Sequence, residues 1–217
     1  MKYILFGFAC IVLVLGFIIG SSYYQGKQVE KYGFLAQENA ELFVRDHSPT
    51  RGSDDAKVFI VEFMDPACET CASFAPFVKK IMDAYPGKIK LVLRYAPLHD
   101  GADNFVRILE AARLQGKYWE TLDVMFKTQG IWANHGNWQP QRLWEVLPDA
   151  GVDIEQISKD MHSSAIAKIL EQDIADAKAL NVHKTPGYFV NGKPLQNFGS
   201  KQLFALIQSE LKAQYPE

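Results

Sequence analysis

Cys68 and Cys71 are the residues whose type and spacing can do chemistry. Thiols at i and i+3 on the first turn of a helix face one side, close enough to form a disulfide. The unpaired N–H groups and positive dipole end of that helix favour a thiolate on the first of them. The spacing therefore points to reversible thiol–disulfide exchange. A purely structural bridge across so short a loop would remove little chain entropy and contribute little stability. A zinc site needs more ligands, and His47, His99, His135, His162 and His183 supply no H-x3–5-H pair, nor is there a second C-x-x-C. Haem attachment is excluded because Ala72 follows Cys71. The third cysteine, Cys10, lies inside an apolar run and reads as packing. No metal or organic cofactor is expected, the redox centre being the cysteine pair itself.

The elements that position this pair are legible around it. Val58–Met64, VFIVEFM, is apolar on both faces and rich in β-branched and aromatic residues, as a central strand is. Asp65 and Pro66 end it. From Cys68, the positions Phe74, Phe77, Val78, Ile81 and Met82 recur at helical spacing as far as Tyr85, and Pro86-Gly87 is a stop. A second apolar strand follows at Ile89–Tyr95, so the opening is a β-α-β unit with a parallel sheet, an α/β fold. From Asp103 to about Leu180 the pattern predicts helices and no strand. The segments are FVRILEAARLQ, YWETLDVMFKTQ, QRLWEVL and one long helix through IEQISKDMHSSAIAKILEQDIADAKAL. Strands return at TPGYFVNGKPL, where Asn191-Gly192 predicts a tight hairpin, and a last helix starts at Ser200 as N-cap.

A composition of 48% hydrophobic and 22% charged residues excludes a disordered chain, and a net charge of −2 gives no reason to expect nucleic acid as a partner. Tyr3–Gly20 carries no charge over eighteen residues, the threshold for spanning a bilayer. Lacking an A-x-A site, it reads as an uncleaved anchor, with a cleaved signal peptide as the competing reading; both place the rest of the chain on the non-cytoplasmic side. A weak helical period through Val29, Tyr32, Leu35, Ala36 and Ala40 follows as a juxtamembrane linker.

The run VEFMDPACETCASFAPF resembles the active-site strand and helix of the thioredoxin superfamily, and three features are similar to its DsbA-like thiol-disulfide oxidoreductases. Pro76 lies five residues after Cys71, Thr185-Pro186 precedes the strand and its hairpin, and AARLQGKYWETLDVMF is similar to the Q-G-K-[FY]-W stretch of DsbA-like helical insertions. The resemblance implies a thioredoxin-like fold with an inserted helical subdomain. Residues 1–22 form the signal anchor or signal peptide, residues 23–50 the linker and first edge strand, and residues 51–217 the domain, with its insertion at about 100–181.

By the same resemblance Cys68 is the exposed nucleophile and Cys71 the buried resolving thiol. Pro186, in a cis peptide, and Thr185 present backbone to an extended substrate segment. Glu62, six residues before Cys68 on an apolar strand, is costly to bury unless it works, and reads as a proton relay for Cys71; a solvated Glu on a half-exposed strand is the alternative. Glu69-Thr70 stands where DsbA has Pro-His, and is expected to tune the redox poise. The implied partners are exported proteins with cysteine pairs and a quinone-linked membrane partner of the DsbB kind, in the periplasm or another extracytoplasmic space, with residues 3–20 in the inner membrane. A disulfide reductase or isomerase using the same site, a Cu(I)-binding metallochaperone and a holdase with incidental cysteines are the rival readings. His99 and the insertion residues Trp132, Trp138 and Trp144 receive no role.

Overall fold

Val58–Met64 (β2) occupies the centre of a five-stranded sheet. Ile89–Tyr95 (β3) lies parallel on one side of it, followed by the antiparallel edge strand Thr50–Gly52 (β1). On the other side run Gly187–Val190 (β6) and Lys193–Pro194 (β7), each antiparallel to its neighbour. The computed structural model describes residues 14–16, 20, 40–134 and 137–216. The anchor expected at residues 3–20 falls outside the described residues apart from 14–16 and 20, as does the helical period from Val29 to Ala36. Among the described residues no helix is long and apolar enough to cross a membrane.

Alternation along β2 sends its side chains to two different cores. Val58, Ile60 and Met64 pack with the active-site helix α2 (Glu69–Ala84) and the C-terminal helix α8 (Ser200–Gln214), while Val61 and Phe63 face a smaller cluster with Phe43, Ala177 and Phe189. Phe43 belongs to a short helix, α1 (Ala40–Phe43). The β6–β7 hairpin turns on Asn191 and Gly192, both at positive φ (48° and 78°), as a primed turn requires.

Between β3 and β6 lies the helical insertion. It contains α3 (Ala102–Leu114), α4 (Tyr118–Trp132), α5 (Leu143–Val146), α6 (Ile154–Asp160) and α7 (Ser164–Ala179), with 3₁₀ turns at Pro140–Arg142 and Leu147–Ala150. Three expectations are corrected here. The insertion is not free of strand, because Ala133–Asn134 (β4) and Asn137–Trp138 (β5) pair as a small antiparallel ribbon. The single long helix is two: the backbone at Ser163 is extended (φ −64°, ψ 147°) and its hydroxyl accepts the N–H of Ile166, so this serine caps a new helix. In the last helix Gly199, not Ser200, is the N-cap, because the Gly199 carbonyl already accepts the Leu203 N–H at 2.9 Å.

A buried ion cluster ties the insertion to the sheet. Arg94 on β3 is fully buried and donates to Asp173 (2.7 Å), Asp176 (2.5 Å) and the Leu42 carbonyl (2.6 Å). Asp173 also accepts the Tyr95 N–H (2.8 Å) and meets His47 Nε2 (2.7 Å), and Asp176 takes both arms of Arg45 at 2.9 Å. Burial would raise the Asp176 carboxyl, but hydrogen bonds from Arg45 and Arg94 outweigh it and hold it below its ordinary range. Since the folded-state affinity for the proton is depressed, this stabilisation is present above pH 3.8 and is lost as pH falls through the folded value. Arg94→Leu takes the buried guanidinium from both carboxylates, leaving Asp176 with Arg45 and Asp173 with His47 and the Tyr95 N–H, and should cost about 3 kcal/mol by urea denaturation at neutral pH. A loss under about 1 kcal/mol would show that the cluster is replaceable by apolar packing.

Candidate active site

Cys68 is the N-cap residue of α2 and Cys71 lies one turn in; both are free thiols and both are buried, Cys71 fully and Cys68 to within 6% of its surface. The nucleophile is therefore not the exposed thiol that the resemblance implies, because the Thr185-Pro186 loop packs against it. The loop before them is held by one carboxylate. Asp65, fully buried, accepts the Ala67 N–H (2.8 Å), the Leu98 N–H (2.7 Å), the His99 N–H (2.8 Å) and contacts His99 Nδ1 at 2.8 Å. This welds the β2–α2 loop to the β3–α3 loop. From the insertion, the buried Gln129 amide donates to the Pro66 carbonyl at 2.9 Å and fixes the same turn from a third side. Asp65, His99 and Gln129 therefore have a place in the site as supports. Sequence reading treated Asp65 only as the end of a strand; its available signal was an acid at that strand end and a histidine just past the end of the next.

The two sulfurs are driven apart in proton affinity. The Cys68 thiol is pulled down to about 5, first by the hydrogen bond from the Cys71 thiol and then, against the cost of its burial, by Thr185 and the N–H groups of Cys71 and Thr70 at the helix start. The value lies between the ~3.5 of DsbA and the ~7 of thioredoxin. Cys71 is pushed well above its ordinary range by burial, by its bond to Cys68 and by the charge of Glu62. Thr185-Pro186 is a cis peptide, and the Thr185 carbonyl accepts from the Cys68 thiol at 3.3 Å. An open groove lined by Thr70, Thr185, Pro186, Leu195 and Phe198 runs beside the cysteine turn.

Glu62 lies on the β2 face that α2 covers, and its residue is only 4% exposed, so the solvated alternative is set aside. Burial pushes its carboxyl up to about 8, opposed by the neighbouring Tyr188 hydroxyl and reinforced by the charge of Cys68. The Tyr188 hydroxyl is itself buried and makes no hydrogen bond to a described residue. Sequence reading missed this phenol, whose place opposite Glu62 comes from the β2–β6 register. Glu69 is exposed on the first turn of α2 and is not among the leading influences on Cys68. Trp132 is fully buried against Phe105, and Trp138 and Trp144 line a small hollow elsewhere in the insertion. Among the described residues no group of three or more His, Cys, Asp or Glu is placed to hold a metal ion.

The Glu62 carboxyl has a measurable consequence. Its folded value lies above the ordinary 4.5, so the folded protein holds an extra proton between about pH 4.5 and 8, and stability falls as pH rises through that window. Glu62→Gln should therefore stabilise the dithiol form by roughly 2–4 kcal/mol at pH 8 and by almost nothing at pH 4.5, read from urea midpoints. Equal differences at the two pH values would mean that the carboxyl is not held neutral.

The chain is similar to known proteins in sequence and in fold. The thioredoxin family model matches residues 45–209. The Na(+)/H(+) antiporter NhaA 1 of Mycolicibacterium gilvum is 34% identical over 154 residues, 69% of this chain and 24% of that protein. The chain spans about a quarter of the length of such relatives. Among solved structures, a thioredoxin-like oxidoreductase from Silicibacter pomeroyi superposes with a TM-score of 0.69 at 27% identity, over 80% of this chain and 98% of that one. BdbD from Bacillus subtilis does so with 0.66 at 24%, over 76% and 93%. The chain belongs to the thioredoxin family.

Proposed function

We propose that the protein is a disulfide-forming oxidase for exported proteins with cysteine pairs, working outside the cytoplasm and tethered by residues 3–20. The observation that carries the direction is the opposed proton affinity of the two thiols. A thiolate stabilised at Cys68 favours the reduced enzyme, and a favoured reduced form makes the disulfide a stronger oxidant.

In each cycle a substrate thiolate attacks Cys68 of the Cys68–Cys71 disulfide. The enzyme S–S bond breaks, the mixed disulfide forms and Cys71 leaves with the electron pair. Cys71, whose affinity for a proton is high, takes one from Glu62, which is neutral at pH 7 and shares its buried surroundings. A second substrate thiolate then attacks the substrate sulfur, and Cys68 leaves as the stable thiolate. Two substrate thiols become a disulfide, and the enzyme keeps both electrons until a membrane partner of the DsbB kind removes them. Thr185 and Pro186 line the groove in which an extended substrate segment would pair with backbone groups.

Two measurements test this reading. Absorbance of the Cys68 thiolate should titrate near pH 5. In Cys71→Ala the midpoint should rise by about one to two units, since a hydrogen bond to the charged sulfur is lost. The same variant should accumulate mixed disulfides to exported proteins through Cys68. Trapping by Cys68→Ala instead, or tight Cu(I) binding without thiol exchange, would overturn the assignment. A reduction potential at or below the ~−270 mV of thioredoxin would make the enzyme a reductase.

A further inference from the structure

Behind the active-site helix, on the side away from the Thr185–Pro186 groove, lies a second hollow of about 440 Å³. Its walls are α2 and α4, and its floor is the sheet at Glu62, Met64, Leu91 and Leu93. The space exists because α2 presents Ala72 and Ala75 towards it, and their small side chains leave the gap between the helices unfilled. The lining is mostly aliphatic and aromatic, and the volume is that of a small-molecule pocket, ~300–1,000 Å³.

The charged residues around this hollow are uneven in sign. Arg51, Lys79 and Lys127 line it against two acids, Asp123 and the floor residue Glu62, in a chain whose net charge is −2. Burial pushes the Glu62 carboxyl up to about 8, so at neutral pH it adds little negative charge. Arg51 is held in place by stacking on Trp119, with its guanidinium carbon 4.1 Å from the ring centroid. Lys79 is shared with the exposed Asp83 at 2.7 Å. Lys127 is exposed on α4. An apolar interior with a cationic surround complements a molecule with one anionic end and a hydrocarbon body. A cationic amphiphile would meet like charge at the same place.

We propose that this hollow is a binding site for a free alkyl carboxylate, its chain lying between α2 and α4 and its head at Arg51 and Lys127. The chain end would rest against Glu62, which lies in the floor. Occupancy closes the hollow over the carboxyl that supplies Cys71 with its proton and hinders its reprotonation from that side, so the ligand slows turnover without touching Cys68 or the substrate groove. This effect on turnover rests on the thiol-exchange reading; the binding itself does not.

The test is calorimetric titration of the full chain with decanoate below its micelle concentration, with decyltrimethylammonium as the probe of equal chain length and opposite head. Wild type should bind decanoate at one site and the ammonium at least tenfold more weakly. Ala75→Phe fills the hollow and should abolish binding. Lys127→Glu, a change at an exposed position, should weaken it at least tenfold while leaving thiol exchange unchanged in the absence of decanoate. Decanoate should slow the exchange of wild type and not that of Ala75→Phe. No saturable binding by wild type, equal binding by Lys127→Glu, or equal binding of the two amphiphiles would overturn the site. Binding with no effect on exchange would overturn its coupling to Glu62. If no form of the protein exchanges thiols, the enzymatic reading fails, and the calorimetry still decides the site.

Discussion

The docking of the start of α2 against the end of β2 is the constraint on which the chemistry depends. Two chemically identical thiols three residues apart would titrate together in water. Here the first sits at the N-cap, where unpaired N–H groups and the Cys71 thiol stabilise its charge, and the second is buried one turn in, where desolvation opposes any charge at all. Hydrogen bonding between the two sulfurs widens the gap, because it lowers one value and raises the other. The asymmetry survives only if the turn before Cys68 is rigid. Asp65 supplies that rigidity by gathering donors from two loops onto one buried carboxylate.

The insertion serves the same constraint from outside the sheet. α4 lies over the face that carries Glu62 and reaches the cysteine loop through Gln129. Its far end returns to the sheet through α7, whose Asp173 and Asp176 meet Arg94 in the interior. Burying such charges is costly, and an apolar core of equal volume could be as stable. What the cluster does is join three segments: Arg94 reaches α7 and the Leu42 carbonyl together, so one guanidinium holds the N-terminal approach and the last helix of the insertion against β3.

Much of this was legible along the chain, because its signals are local. The apolar run of β2, the i, i+3 cysteines, the Asn191-Gly192 turn and the strand after Thr185-Pro186 each rest on a few neighbouring residues, and each lies where expected. What was not legible depends on partners far apart. The Arg94–Asp173 and Arg45–Asp176 pairs span 79 and 131 residues, and no periodicity announces them. The break at Ser163 was hidden because apolar spacing continues across it. The two helices are separated by three residues, the last of them Ser163, whose extended backbone and capping hydroxyl start the second. The ribbon at Ala133–Asn134 and Asn137–Trp138 is too short for an alternating pattern to register.

Glu62 shows how register turns a costly residue into a useful one. In β2 its neighbours across the sheet are Leu93 on the parallel side and Tyr188 on the antiparallel side, so neither adjacent strand offers a cation. A carboxylate in that position has a phenol beside it and the sulfurs above, and the negative charge of Cys68 adds to the penalty of burial. Had a lysine stood at Leu93, ion pairing would have kept the acid charged through neutral pH and unable to give a proton away. With leucine there, the cheaper state is the neutral acid, and a neutral acid beneath a leaving thiolate of high proton affinity is a donor with a thermodynamic reason to donate. On the proposed mechanism that burial gives the proton its direction, since it makes the neutral acid the favoured state of Glu62 and leaves Cys71 with the higher proton affinity.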